Sequence, residues 1–307
     1  MRTLFNWSQI KPGTDLYQLH RQGFPLVLRS NNDLMRSILV PVDFSATSRN
    51  ALTYAAHLSG HMNAELILFH AYMLPTPVSE APYVMVTAEE MEKERASALQ
   101  AEMDYAATLT GKQASGYLRL GIASDEIREL IREKNVDLII MGMKGSGGLE
   151  KLMGSTTTNV IRKIKTPVLV VPENARYQPI QKVLYPSDFS YKTTHHLYDR
   201  LLEIIDAYRA RLSILHISFN HSGETPEKLM QKKEMGQVFR SVNYDFLDKE
   251  SHSVTQGINE YLADNPIDLI AMVAHQHSFL ERLFSKSHTN AIVYESNLPL
   301  LVLQDKE

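Results

Sequence analysis

The residues whose types and spacing could do chemistry lie mainly in one stretch, Met141-Gly-Met-Lys-Gly-Ser-Gly-Gly-Leu-Glu-Lys-Leu-Met-Gly-Ser-Thr-Thr-Thr-Asn-Val-Ile161. Glycines at 142, 145, 147 and 148 let the backbone turn with positive φ and approach a ligand closely. Gly154 then precedes Ser155, Thr156, Thr157 and Thr158, just ahead of a helical run over 159–164. Amide and hydroxyl donors therefore gather at a helix N-terminus, where the free N–H groups and the helix dipole favour phosphate. Glycine clusters also build plain tight loops, so the stretch has to be weighed with its surroundings. Two other phosphate motifs do not fit it. The P-loop needs Gly-Lys followed by Ser or Thr, and a dinucleotide fingerprint begun at Gly145 meets Glu150 where its last glycine belongs. Both of those motifs also follow a first strand. Here the first strand candidate instead runs into Pro41-Val-Asp43-Phe-Ser45, which puts a carboxylate at its carboxyl end. Asp43 suits a ligand contact and equally a helix N-cap, and the two roles are compatible.

These residues need a frame that brings them together. Apolar runs at 37–41, 65–71, 115–119, 138–141 and 168–171 read as strands. Between them lie helical patterns: 48–59 with Ala51, Leu52, Ala55 and Leu58 on one face, the charged stretch 88–109, and 124–134 with Ile127, Leu130 and Ile131. Ser124, ahead of an acidic first turn, is the expected N-cap of the last. Continuous apolar strands alternating with helices predict a parallel sheet covered on both faces, the doubly wound α/β architecture. Ligands of such sheets bind at the carboxyl ends of the strands, so Asp43 and the glycine stretch are expected on one edge.

The chain then repeats itself. Ser37-Ile-Leu-Val-Pro-Val-Asp-Phe-Ser45 recurs as Lys182-Val-Leu-Tyr-Pro-Ser-Asp-Phe-Ser190. In the same order, 66–70 is echoed at 212–216, 137–141 at 268–272, and 166–171 at 298–303. A repeat of that length is a duplicated domain, with a polar joint over 172–179 bounded by prolines. Residues 1–34, which hold the only Trp, Trp7, have no second copy. They read as an extension without assigned role, either loosely ordered or lying upstream of a start at Met35.

Composition narrows the function. With no Cys, disulfide scaffolds, thiol catalysis and Cys-ligated metals are excluded, and a cytoplasmic location is expected. The 32 Lys and Arg against 35 Asp and Glu leave a net charge of −3, with no global basic field for nucleic acid or an anionic membrane. No apolar run approaches the ~18 residues of a membrane span, and the amino terminus lacks a secretory pattern. His275, His277 and His288 read as loop or surface histidines rather than metal ligands, and His70 and His216, twinned at the second strand end, as packing residues. No catalytic constellation is assigned.

In combination, the motifs Ile38-Leu-Val-Pro-Val-Asp43-Phe-Ser, Leu68-Phe-His70-Ala71, Met141-Gly-x-x-Gly145 to Gly154-Ser155 and Pro167-Val-Leu-Val-Val make the sequence resemble the universal stress protein family in its tandem form. The resemblance covers both halves and leaves out only the extension. It implies two tandem Rossmann-like domains, 35–173 and 179–305, each with a mostly parallel five-stranded sheet. They would pair as a pseudo-dimer through the strands at 168–171 and 300–303. It also implies ATP binding with magnesium or manganese. Pro41, Val42 and Asp43 would line the adenosine pocket, and the backbone of Ala71 would meet the adenine edge. Met141, Gly142 and Gly145 would approach ribose and phosphates, and Gly154, Ser155, Thr156 and Thr157 would hold the phosphates. The eight residues between Gly145 and Gly154 are one fewer than in ATP-binding members.

The second copy has lost this cradle. Aligned without gaps, Gly142, Gly145, Gly154 and Ser155 become Val273, Gln276, Ser285 and Lys286, while Leu149, Glu150, Thr158 and Asn159 persist as Leu280, Glu281, Thr289 and Asn290. One nucleotide site per chain is therefore expected. The leading expectation is a cytoplasmic stress-response protein that binds ATP as a regulatory ligand and acts through an unidentified protein partner. An interaction scaffold without nucleotide and a slow ATP hydrolase are the alternatives, and a homodimer of the tandem chain is left open.

Overall fold

The computed structural model describes residues 35–74, 87–143, 155–189, 195–218, 225–275 and 297–305. The extension with Trp7, the loop over 144–154 and its second-half counterpart over 276–296 lie outside them.

In the first half, strands β1 (Ser37–Pro41), β2 (Glu65–Tyr72), β3 (Ser115–Leu120), β4 (Leu138–Met143) and β5 (Val168–Pro172) alternate with helices α1 (Ala46–Met62), α2 (Ala88–Thr110), α3 (Ala123–Lys134) and α4 (Ser155–Lys163). The second half repeats the order with β6 (Lys182–Pro186), α5 (Asp199–Tyr208), β7 (Arg211–Ser218), α6 (Pro226–Val238), β8 (Asn243–Glu250), α7 (Val254–Asp264), β9 (Leu269–His275) and β10 (Leu300–Asp305). The ten strands among the described residues form one sheet, ordered β3-β2-β1-β4-β5-β10-β9-β6-β7-β8.

Each half contributes five parallel strands, and the halves meet at a single antiparallel pair, β5 with β10. There Leu169 faces Leu301 across the ladder, both fully buried. Burying an aliphatic side chain of this kind contributes about 1.5–3 kcal/mol. The pairing also removes the apolar edge that each half would otherwise leave open.

The sheet is covered on both faces, which explains why inner strands such as β4 and β5 are apolar without alternation. One face packs against α1, α2, α5 and α6 through Leu52, Leu99, Ile204 and Met235. The opposite face packs against α3, α4 and α7 through Ile127, Leu130, Val160 and Ile258. Both layers run from one half into the other.

Local signals set the ends of the helices. Ser45 caps α1 by accepting from the Ser48 amide, and Asn63 ends it in the left-handed region. Thr87 and Glu90 form a reciprocal capping box at the start of α2. The expected Ser124 cap of α3 is corrected: Ile122 holds the cap position with no side-chain bond, and Ser124 is buried inside the first turn. The position is closed by the sharp bend at Gly121 (φ 155°), whose amide donates to the Tyr72 carbonyl.

Candidate functional site

A cleft of about 360 Å³ opens at the carboxyl ends of β1, β2 and β4, in the volume range of small-molecule sites. β1 has β2 on one side and β4 on the other, so this is the point where the winding of the first half reverses. The ends of α1, α3 and α4 nearest the cleft are their N-termini: Thr47 and Ser48, Ala123, and Thr156 and Thr157 all line it.

One wall is the Pro41-Val42-Asp43 turn. The Asp43 carboxylate accepts from the Ser45 amide at 3.0 Å and the Ser45 hydroxyl at 2.5 Å. Burial works against its charged form, but the bonds from Ser45 and Ser48 outweigh it and hold the carboxyl below its ordinary value. At neutral pH Asp43 is thus an ionised acceptor. The cap itself is Ser45, two residues further on, so the carboxylate stabilises the start of α1 indirectly. Phe44, between them, adopts a left-handed backbone (φ 64°) uncommon for an aromatic residue. Its ring packs on His70 with centroids 4.3 Å apart. The second half keeps this turn, with Phe189 at φ 55° beside His216.

The floor depends on a glycine. A β-carbon on Gly142 would stand 2.6 Å from the Thr47 carbonyl oxygen, so only glycine lets the start of α1 rest on the end of β4. By β-ladder position Gly142 corresponds to Val273, since Leu138 pairs beside β1 as Leu269 pairs beside β6. Among the described residues the second-half α-helix begins only at Asp199, after a 3₁₀ turn at His195–Tyr198.

On the far side the Thr157 hydroxyl lies 3.5 Å from the Gly142 carbonyl oxygen, a long contact that leaves it able to turn to a ligand. Helix α4 starts at Ser155, earlier than the 159–164 run expected, so Thr156 and Thr157 belong to its first turn. Their amides are among those an α-helix leaves without internal acceptors.

A sequence model of the universal stress protein family matches residues 35–172 and again 179–304. The chain belongs to the universal stress protein family. Its relatives include universal stress protein MJ0531 of Methanocaldococcus jannaschii, 29% identical over 153 residues, 47% of this chain and 86% of that protein. Universal stress protein YxiE of Bacillus subtilis is 30% identical over 148 residues, 45% of this chain and 99% of its own. A universal stress protein structure from Archaeoglobus fulgidus spans both halves, covering 89% of this chain and 99% of that one, with a TM-score of 0.68 at 20% identity. That likeness confirms the tandem doubly wound fold.

The cleft gathers Pro41, Val42, Asp43, Ala71, Met141, Gly142, Thr156 and Thr157 from the expected set. Ser155 begins α4, while Gly145 and Gly154 lie outside the described residues. Sequence reasoning did not single out Thr47, Ser48, Phe69 and Ala123, and it gave His70 a packing role only. The missed signal for the α1 hydroxyls was the Ser45-x-Thr-Ser48 run directly after Asp43.

Among the described residues no group of three or more His, Asp or Glu could hold a metal ion. Among them, too, no helix is long and apolar enough to cross a membrane.

Proposed function

We propose that the first half, residues 35–173, binds ATP in this cleft as a regulatory ligand, with magnesium or manganese carried on the phosphates. The second half, 179–305, is read as a degenerate copy without a nucleotide site, and the whole as a cytoplasmic protein whose nucleotide state alters contacts with a protein partner. The observation that carries the reading is the pairing, across one small cleft, of an ionised Asp43 with the first turn of α4. The carboxylate suits the hydroxyl and amine donors of a nucleoside, and the helix start suits its phosphates.

The fit favours binding over turnover. The described lining offers a single carboxylate and neither Lys nor Arg, so it supplies no charge to a transferring phosphoryl group. Hydrolysis is therefore expected to be slow.

Isothermal titration of magnesium ATP into the protein tests this, beside a Thr156→Val, Thr157→Val variant. About one ATP per chain, with weaker binding in the variant, supports the reading. No heat and no thermal stabilisation at millimolar ATP would sink it and leave a partner-binding scaffold.

A further inference from the structure

The cleft contains a polar atom that neither the packing of the fold nor the nucleotide reading uses. His70 ends the apolar part of β2, is buried, and still lines the cleft. Its Nδ1 lies 2.7 Å from the Val42 carbonyl oxygen. A carbonyl can only accept, so Nδ1 carries the hydrogen and donates. In the neutral ring Nε2 is then a bare acceptor. Among the described residues Nε2 has no hydrogen-bond partner, and it is not among the buried polar atoms sealed from solvent without one. The ring is fixed on its other side by Phe44.

Resting on the nucleotide reading, we propose that His70 is a specificity-determining residue of the cleft, its Nε2 accepting a hydrogen bond from an N–H or O–H donor on the nucleoside part of the ligand. A ligand that turns a carbonyl oxygen to that point would set acceptor against acceptor. Burial pushes the imidazole below its ordinary value, more strongly than the Val42 bond pushes it up; Arg95 adds to the fall and Asp43 opposes it. The acceptor form is thus the one present at neutral pH.

The second half separates this role from a structural one. His216 lies with Nδ1 3.0 Å from the Ser187 carbonyl oxygen and packs on Phe189, so the Nδ1 bond belongs to the fold and recurs where the glycine floor is lost. Selection by Nε2 belongs to the first half alone.

The donor could be the exocyclic amine of the base or a ribose hydroxyl, and ligand analogues distinguish them. Dissociation constants for ATP, ITP and 2′-deoxyATP would be measured by titration on the wild type, His70→Asn and His70→Phe. The Asn amide can keep the bond to Val42 but has no atom at the Nε2 position, and Phe removes both. The expected result is a wild-type preference of about tenfold for ATP over one analogue, the size of one uncompensated hydrogen bond. It should fall to near equality in His70→Asn, with a melting temperature close to wild type. Loss over ITP names the amine, and loss over 2′-deoxyATP the hydroxyl. Equal weakening of all three ligands in the variant, or no wild-type preference, would overturn the proposal and leave His70 a structural residue. Wild-type protein that binds none of the three would instead refute the nucleotide reading, and this inference with it.

Discussion

The Asn50 side-chain amide donates to the Pro172 carbonyl oxygen at 2.9 Å, and its second hydrogen reaches the Ala175 carbonyl oxygen at the same distance. Asn50 sits on α1, the helix that brings Thr47 and Ser48 to the cleft. Further along the same helix, His57 stacks on Tyr177 and His61 on Tyr208, and the two tyrosine hydroxyls lie 3.0 Å apart. One helix thus touches the cleft, the chain joining the halves, and α5. Both Asn50 hydrogens are committed, and the Pro172 carbonyl keeps only the Ala175 amide when they go, so Asn50→Ala removes two part-buried hydrogen bonds and should cost about 1–3 kcal/mol in urea unfolding. Asn50→Asp should cost more, because a carboxylate would face two carbonyl oxygens. An Asp variant as stable as wild type would contradict the double bond.

Gly142→Val copies the residue of the second half into the first. Its β-carbon would meet backbone, the Thr47 carbonyl oxygen, which cannot swing aside as a side chain could. Either β4 or the start of α1 must shift, with a stability loss of about 1–3 kcal/mol and loss of ATP binding. Thermal unfolding and titration check the two effects. Normal ATP affinity in this variant would show that the glycine floor is not what distinguishes the halves.

Much of the frame is legible in the sequence, for reasons particular to its residues. The runs Leu66 to Phe69 and Leu138 to Met141 are apolar at every position, as a strand covered on both faces requires. The echo of Pro41-x-Asp-Phe-Ser45 at Pro186 fixed the duplication. Helix starts were less legible, because Ser, Thr and Asp cluster at several of them. Asp43, Ser45 and Ser48 all suit the first cap, and hydrogen bonding among the three decides it. At α3 the choice of Ser124 failed because the Gly121 bend sets the helix start. The open Nε2 of His70 was out of reach, since a tautomer follows from a carbonyl brought near by folding.

Arg200 joins the halves. It donates to both oxygens of Glu203 at 2.9 and 2.8 Å and to Asp137, in the first half, at 2.8 Å. Glu203 is buried and also accepts from the Met35 amide. Truncation by Arg200→Ala takes the guanidinium partner from a buried carboxylate, a change worth about 3–5 kcal/mol when fully enclosed. Arg200 and Asp137 are each 18% exposed, so a smaller loss, about 1–3 kcal/mol, is expected by urea unfolding. Arg200→Ala combined with Glu203→Gln should recover part of it. If the double variant is no more stable than Arg200→Ala, the buried charge is not the source of the loss.

The pH dependence of stability gives a last test of the β1–α1 turn. His70 titrates below its ordinary 6.5 in the folded chain, so folding favours its neutral form. Its contribution is complete above about pH 6.5 and is lost as the pH falls through the folded value, because the unfolded chain takes up the proton first. Asp43, held below 3.8, behaves in the same direction in a lower window: its contribution is present above 3.8 and disappears under stronger acid. The charged groups acting on His70 are Asp43 and Arg95, and both keep their charge from pH 7.5 to 5.5, which isolates the imidazole. Wild type should therefore lose more unfolding free energy than His70→Asn over that interval. The other histidines are common to both proteins and cancel in the difference. Parallel curves would mean that His70 is not held neutral by its surroundings, and Nε2 would then carry a proton rather than accept one as the cleft acidifies.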